Sequence, residues 1–264
     1  MTAYTKITRR GFVQLSSVAA VSLLGGASLF GCGTDQNVLR VGTKIDVPKF
    51  GYQSPETGII EGFEVDIAHE LAARIKGNPD NLAVTGVNVS TRGIMLDNNT
   101  LDATLATFTI TDARKKSYNF SQPYFTDYIG VLVKKDSGIT ELAHLDGKTV
   151  GVAVSATTRD KLTDAGNEIG ISMEFAEYAT YPEIKIALVT GRVDAFSVDR
   201  SILMGYLDDS TMFIDAQFAP QDYGVACKKS NTELAAQIEE SISRMKEDGT
   251  LASLEQKWGL KTDA

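Results

Sequence analysis

The chain has 264 residues, 43% apolar and 23% charged, enough for one large domain or two lobes with a buried core. Its net charge of −8 argues against nucleic acid and anionic lipid surfaces as partners. Two cysteines exclude a disulfide framework. Two histidines, His69 and His144, sit in short helical patterns among ordinary apolar neighbours, so neither a metal nor another cofactor is expected.

Residues 1–31 differ from the rest. Lys6, Arg9 and Arg10 form a basic start without acidic residues, and Val18 to Phe30 is almost entirely apolar or small. A bilayer span needs about 20 apolar residues, so this shorter run is expected to be a cleaved export signal. Thr8-Arg9-Arg10-Gly11-Phe12-Val13 resembles a twin-arginine export motif; the alternative is a general signal with two adjacent arginines. Leu29-Phe30-Gly31-Cys32 resembles a lipoprotein processing site, which would make Cys32 the lipidated first residue of a protein anchored on the extracytoplasmic face of the cell membrane. Cys227 then has nothing to pair with and is expected to be a small buried residue. Loss of the three cations in 1–31 takes the net charge from −8 to −11. An anionic ligand would therefore have to be held by a local cluster of cations.

After a polar tether over 32–37, strand and helix patterns alternate. Val38–Thr43 alternates like a strand, and Ile67, Ala68, Leu71, Ala72 and Ile75 make an apolar stripe at helical spacing. Leu82–Val89 is a predicted strand, Arg92–Asn98 a short helix, and Leu101–Ala106 a strand. A second series has predicted strands at Ile129–Lys134, Thr149–Val154, Met173–Tyr178 and Ala195–Asp199. Thr180-Tyr181-Pro182-Glu183 has capping-box spacing and opens a helix that runs towards Gly191. Ser230-Asn231-Thr232-Glu233 has the same spacing and starts a final helix, which buries Leu234, Ile238, Ile242 and Met245 and stops at Gly249. This alternation predicts an α/β fold with mainly parallel sheets, and the two series suggest two lobes with a ligand cleft between them.

Glu61-Gly62-Phe63-Glu64-Val65-Asp66, Thr109-Ile110-Thr111-Asp112-Ala113-Arg114, Phe120-Ser121-Gln122-Pro123-Tyr124, Asp146-Gly147-Lys148-Thr149-Val150-Gly151 and Lys257-Trp258-Gly259 occur in that order. Together they resemble the polar amino-acid-binding proteins of ABC importers, solute-binding family 3. Ser90-Thr91-Arg92-Gly93, Ala106-Thr107-Phe108-Thr109 and Phe196-Ser197-Val198-Asp199 are most similar to its aspartate/glutamate binders. The resemblance implies a two-lobed periplasmic-binding-protein fold with two hinge strands, crossing near Tyr124–Ile129 and Ala219–Tyr223. Lobe 1 would comprise 38–126 and 221–264, and lobe 2 would comprise 127–220. It also implies a monomer that delivers a free amino acid to a membrane permease.

A free amino acid carries a carboxylate and an ammonium, and each needs a partner once buried. Arg114 suits the carboxylate through a bidentate guanidinium pair, and Asp199 suits the ammonium. Thr109 and Thr157 can add hydroxyl and N–H donors, Thr157 from the start of a helix. Lys44, which ends the first strand, and Arg92, which opens a helix, are the candidate cations for a side-chain carboxylate. Tyr181 and Thr107 can each add a hydroxyl there. Val47 stands where the family usually has an aromatic lid, leaving Phe108 and Phe50 as the candidate apolar wall.

Glutamine or another polar amino acid is the alternative ligand. A cyclohexadienyl dehydratase-like enzyme on the same fold is another reading, with Glu61 or Glu64 as general acid. A sensory or adhesive role is the remaining one.

Overall fold

The computed structural model describes residues 37–260. The signal segment, Cys32 and the rest of the tether before Asn37 lie outside the described residues. Among the described residues no helix is long and apolar enough to cross a membrane.

The chain opens with β1 (Leu39–Lys44), followed by a small antiparallel sheet of β2 (Asp46–Val47), β3 (Gly51–Gln53) and β4 (Ile60–Glu61). Next come α1 (Phe63–Lys76), β5 (Leu82–Val87), α2 (Thr91–Asp97), β6 (Ala103–Leu105), α3 (Asp112–Ser117) and β7 (Tyr118–Phe120). The long β8 (Phe125–Lys134) leads into a second series: β9 (Thr149–Ala153), α4 (Thr158–Ile169), β10 (Glu174–Tyr178), α5 (Tyr181–Val189), β11 (Ala195–Asp199), α6 (Arg200–Met204) and β12 (Thr211–Phe213). The chain returns through β13 (Phe218–Tyr223) and β14 (Ala226–Lys228) and ends in α7 (Thr232–Glu247) and α8 (Thr250–Lys257).

Two mixed sheets result, one in each lobe. The first has the order β5-β1-β6-β14-β7, with β5, β1 and β6 parallel and the other pairings antiparallel. The second runs β10-β9-β11-β8-β12, with β13 antiparallel to β8 from Phe218 to Tyr223. The chain therefore passes between sheets twice, at 120–125 and at 223–226. These passages adjoin the paired strands β8 and β13, whose partners Phe125 and Tyr223 close the ladder. The sheets are less purely parallel than the alternating pattern predicts, because the strands around the two crossings run against their neighbours.

Side-chain alternation puts a core on each face of each sheet. Cys227 packs with Leu39, Val41, Ile67, Leu71, Ile238 and Ile242, whereas its neighbour Ala226 packs with Leu96, Leu101 and Phe108 under α2. In the second sheet Val131, Val150 and Val152 pack with Leu162 of α4, and Leu132 and Phe196 face the other way towards Ile184 and Leu188 of α5. Each fully buried aliphatic side chain contributes about 1.5–3 kcal/mol.

Local details refine several expectations. Thr180 caps α5 with the expected box, its N–H donating to Glu183 at 3.0 Å. α7 is capped by Asn231, whose Oδ1 accepts from Leu234 N–H at 3.2 Å, so Ser230 is not the cap. The helix ends at Glu247, and Gly249, with φ +80°, reverses the chain into α8, which the apolar pattern alone did not separate. α1 begins after Gly62 (φ +143°), where any Cβ would lie 2.1 Å from the Phe50 carbonyl oxygen, so only glycine fits.

Candidate functional site

The loops that follow β6, β9, β10 and β11 converge in the cleft between the lobes. In open α/β sheets, ligands bind outside the carboxyl ends of the strands. A narrow pocket there is lined by Arg92, Thr107, Thr109, Arg114, Thr157, Tyr181 and Asp199, with Val89, Ala156, Thr158 and Val198. Seven of the nine ligand candidates read from the sequence thus line one pocket. Lys44 and Phe108 stand behind it.

Arg114 projects from the first turn of α3, which Thr111 caps by accepting from Arg114 N–H at 3.1 Å. Its guanidinium donates to the Thr109 carbonyl at 2.7 Å and, across the cleft, to the Ser155 carbonyl at 2.9 Å. Burial, reinforced by the charge of Arg92, pulls the Arg114 pKa down to about 9. An arriving anion would relieve both effects.

Arg92, from α2, is almost fully buried. One of its terminal nitrogens donates to the carbonyls of Ala106 and Thr107, at 2.5 and 3.1 Å, but its Nε–H has no protein acceptor. Burial lowers its pKa, against the attraction of Tyr181, Glu64 and Asp199. A buried donor without a partner costs about 1–3 kcal/mol, so this site favours a ligand oxygen.

Asp199 ends β11 and does not cap α6 with its side chain. It accepts from the Tyr223 hydroxyl. Burial, together with the charge of Asp127, raises its pKa to about 7, against the lowering influence of Tyr223, Arg92 and Arg114. Asp199 is the acidic residue lining the cavity.

The backbone of the site is strained where it meets the cleft. Thr107 and Ser155 are non-glycine residues at φ +46° and +59°. Such conformations cost about 1–3 kcal/mol and persist where the surroundings impose them. Glu64 supplies that constraint at Thr107, accepting from its N–H at 2.6 Å while also accepting from the Tyr124 hydroxyl. The Thr107 hydroxyl turns back to the Ala106 carbonyl at 2.8 Å. Thr157 does not cap α4; its hydroxyl donates to Gln221 Oε1 of β13 at 2.6 Å.

Lys44 is fully buried, 2.9 Å from Asp46 Oδ1 and 4.4 Å from the Tyr181 ring centroid. Burial lowers its pKa against the pull of Asp46. The guanidinium groups of Arg92 and Arg114 both stand over the Phe108 ring. Phe50 packs edge-on against Phe63, Phe125 and Tyr223, away from the cavity lining. Glu61 is exposed on β4, and Glu64 lies outside the cavity lining.

Sequence reasoning missed the supporting residues. Glu64 looks like a helix N-terminal acid favoured by the dipole, and nothing local tells of its hold on Thr107. Asp127 and Tyr223 are 96 residues apart, and the pairings of β8 with β13 and with β11 bring them to Asp199.

The model of bacterial extracellular solute-binding proteins, family 3, matches residues 39–261 of the chain. The ABC transporter glutamine-binding protein GlnH of Bacillus subtilis is 32% identical, over 93% of this chain and 97% of its own length. The glutamate-binding protein GluB of Corynebacterium glutamicum is 28% identical over 93% and 90%. Among solved structures, an ancestral arginine-binding protein bound to arginine superposes with a TM-score of 0.75 at 30% identity, covering 84% of this chain and 98% of that one.

Proposed function

The chain belongs to the bacterial extracellular solute-binding proteins, family 3, and we propose that it is the lipid-anchored receptor of an amino-acid ABC importer, binding aspartate or glutamate. Arg114, with Thr109 and Thr157 beside it, holds the α-carboxylate, and Asp199 holds the ammonium. Arg92 takes the side-chain carboxylate, with Tyr181 and Thr107 at the same end and Lys44 adding positive charge from behind Tyr181. Cys32 carries the lipid. The lobes close on the ligand, and the closed surface is what the membrane permease recognises, a hinge motion that the handling of small polar ligands shares across such two-lobed receptors.

One observation carries the acidic reading: two guanidinium groups and a single carboxylate line the same cavity, and Arg92 keeps a buried N–H without an acceptor. A zwitterionic head uses Arg114 and Asp199, which leaves Arg92 for a second carboxylate. Titration calorimetry of the mature protein with glutamate, aspartate, glutamine and asparagine tests this. Tight binding of the acids and weak binding of the amides is the expected result. Binding of no amino acid would sink the receptor reading.

Glutamine is a second reading with its own support. Lys44 has Asp46 as counter-ion and Arg92 feels the charge of Glu64, so the distal end is already partly neutralised. The glutamine-binding relative points the same way.

A further inference from the structure

Asp199 is one of three oxygen-bearing groups gathered where β8, β11 and β13 meet. The Tyr223 hydroxyl donates to Asp199 and also lies 3.3 Å from Asp127 Oδ2. A phenol has one proton and cannot serve two carboxylates at once. With both aspartates ionised, the contact to Asp127 would set lone pair against lone pair between two like charges. One additional proton removes that conflict, letting a carboxyl donate into the phenol oxygen while the phenol donates onward.

The surroundings leave few other ways to stabilise two charges. Asp199 faces Arg92 of α2, Arg114 of α3 and Tyr181 of α5. Those arginines are the groups a ligand carboxylate would engage. Asp127 accepts from Tyr128 N–H at 2.8 Å and Ser201 N–H at 3.0 Å, and its register partner on β13 is the uncharged Gln221. The one charged residue of α6, Arg200, places its guanidinium over the Phe213 ring, 4.3 Å from the centroid. β12 has no charged residue. Both carboxyl groups are accordingly pushed up by burial, Asp199 to about 7.

We propose that Asp127 and Tyr223 are positioning residues for the ligand ammonium, holding Asp199 through a proton shared between the two carboxylates, which the ammonium displaces on binding. No bond of the ligand changes. The ammonium keeps its three protons, the shared proton passes to bulk water, and the pair goes from one negative charge to two with the ammonium's positive charge against it. Since β8 and β13 flank the two passages between lobes, the exchange takes place at the hinge. The ligand's part in this rests on the amino-acid-binding reading above.

The ligand-free protein tests the shared proton directly. Carboxyl-carbon NMR of protein labelled at aspartate is expected to show a titration well above the ordinary aspartate range of about 4. Asp127→Asn, which keeps an acceptor for Tyr128 and Ser201, should return the remaining titration towards that range. Calorimetry with glutamate at pH 6 in phosphate and in Bis-Tris should show a proton released on binding, with affinity falling up to about tenfold per pH unit below neutrality. Asp127→Asn should move that acid limb to lower pH. A wild-type spectrum without a raised aspartate titration overturns the proposal, whether or not the variant folds. So does an Asp127→Asn protein with unchanged titration. If glutamate and the other amino acids fail to bind while the raised titration is present, the receptor reading fails and the shared proton stands.

Discussion

Arg92 and Arg114 share one aromatic ring, their guanidinium carbons 4.0 and 4.7 Å from the Phe108 centroid. The ring's negative π-cloud attracts both cations and, with the Asp199 carboxylate, offsets the repulsion between them. Phe108 is thus placed as a spacer that fixes the two cations, and it does not line the cavity itself.

Phe108→Leu keeps the site apolar but removes the ring that both cations contact. Each cation–π contact is worth about 0.5–2 kcal/mol when desolvated, so glutamate affinity should fall about tenfold or more. Calorimetry measures the affinity and circular dichroism checks that the fold persists. Unchanged affinity would mean the ring does not set the spacing of the guanidinium groups.

Arg114→Ala should abolish binding of every amino-acid ligand with little effect on folding. In the protein its guanidinium donates to two carbonyls, Thr109 and Ser155. Charged hydrogen bonds are worth about 1.5–3 kcal/mol each, so losing a bidentate pair should cost on the order of 3 kcal/mol or more. A thermal-shift screen in which glutamate still raises the melting temperature of the variant as it does the wild type would remove Arg114 from the site.

The fold and the chemistry were legible to different depths. Strand β11 and the Thr180 cap follow from local pattern, because period-two alternation and capping geometry are properties of a few neighbouring residues. Arg92, Arg114 and Asp199 are readable as candidates because the charges of an amino acid dictate the residue types it needs, and the three line one pocket. Their supports are not readable in this way. Glu64 acts on Thr107 from 43 residues away and Tyr223 acts on Asp199 across the hinge strands, contacts that only tertiary pairing creates. Lys44 shows the other limit: its place at the end of the first strand does not reveal that Asp46, two residues on, gives it a counter-ion within the protein.

Cys32→Ser should release the protein from the membrane, provided the signal is processed. The expectation comes from the residues preceding Cys32, since in the proposed lipoprotein the lipid on that cysteine would be the anchor. Fractionation of cells that express the variant, with immunoblotting of membrane and soluble fractions, checks it. Membrane association that persists after normal signal processing would remove the lipid anchor.

The last prediction separates the two cations of the distal end. If Arg92 binds a side-chain carboxylate, an amide ligand leaves a desolvated guanidinium without its counter-charge. The penalty is on the order of 3 kcal/mol, or about a hundredfold preference for glutamate over glutamine. Arg92→Gln should erase most of that preference while leaving binding through Arg114 and Asp199. Lys44 cannot be tested alone, because its removal strands Asp46, which is mostly buried and 2.9 Å away. The pair Lys44→Gln, Asp46→Asn removes both charges together and should change the preference less than Arg92→Gln, since the two already offset one another. Calorimetry with both ligands on the three proteins decides. Equal affinity of the wild type for glutamine and glutamate would mean that Glu64 and Asp46 already neutralise the pocket, and the ligand's side chain would then be an amide. A preference that survives Arg92→Gln but disappears in the double variant would instead assign the side-chain carboxylate to Lys44, with the Tyr181 ring turning aside to admit it.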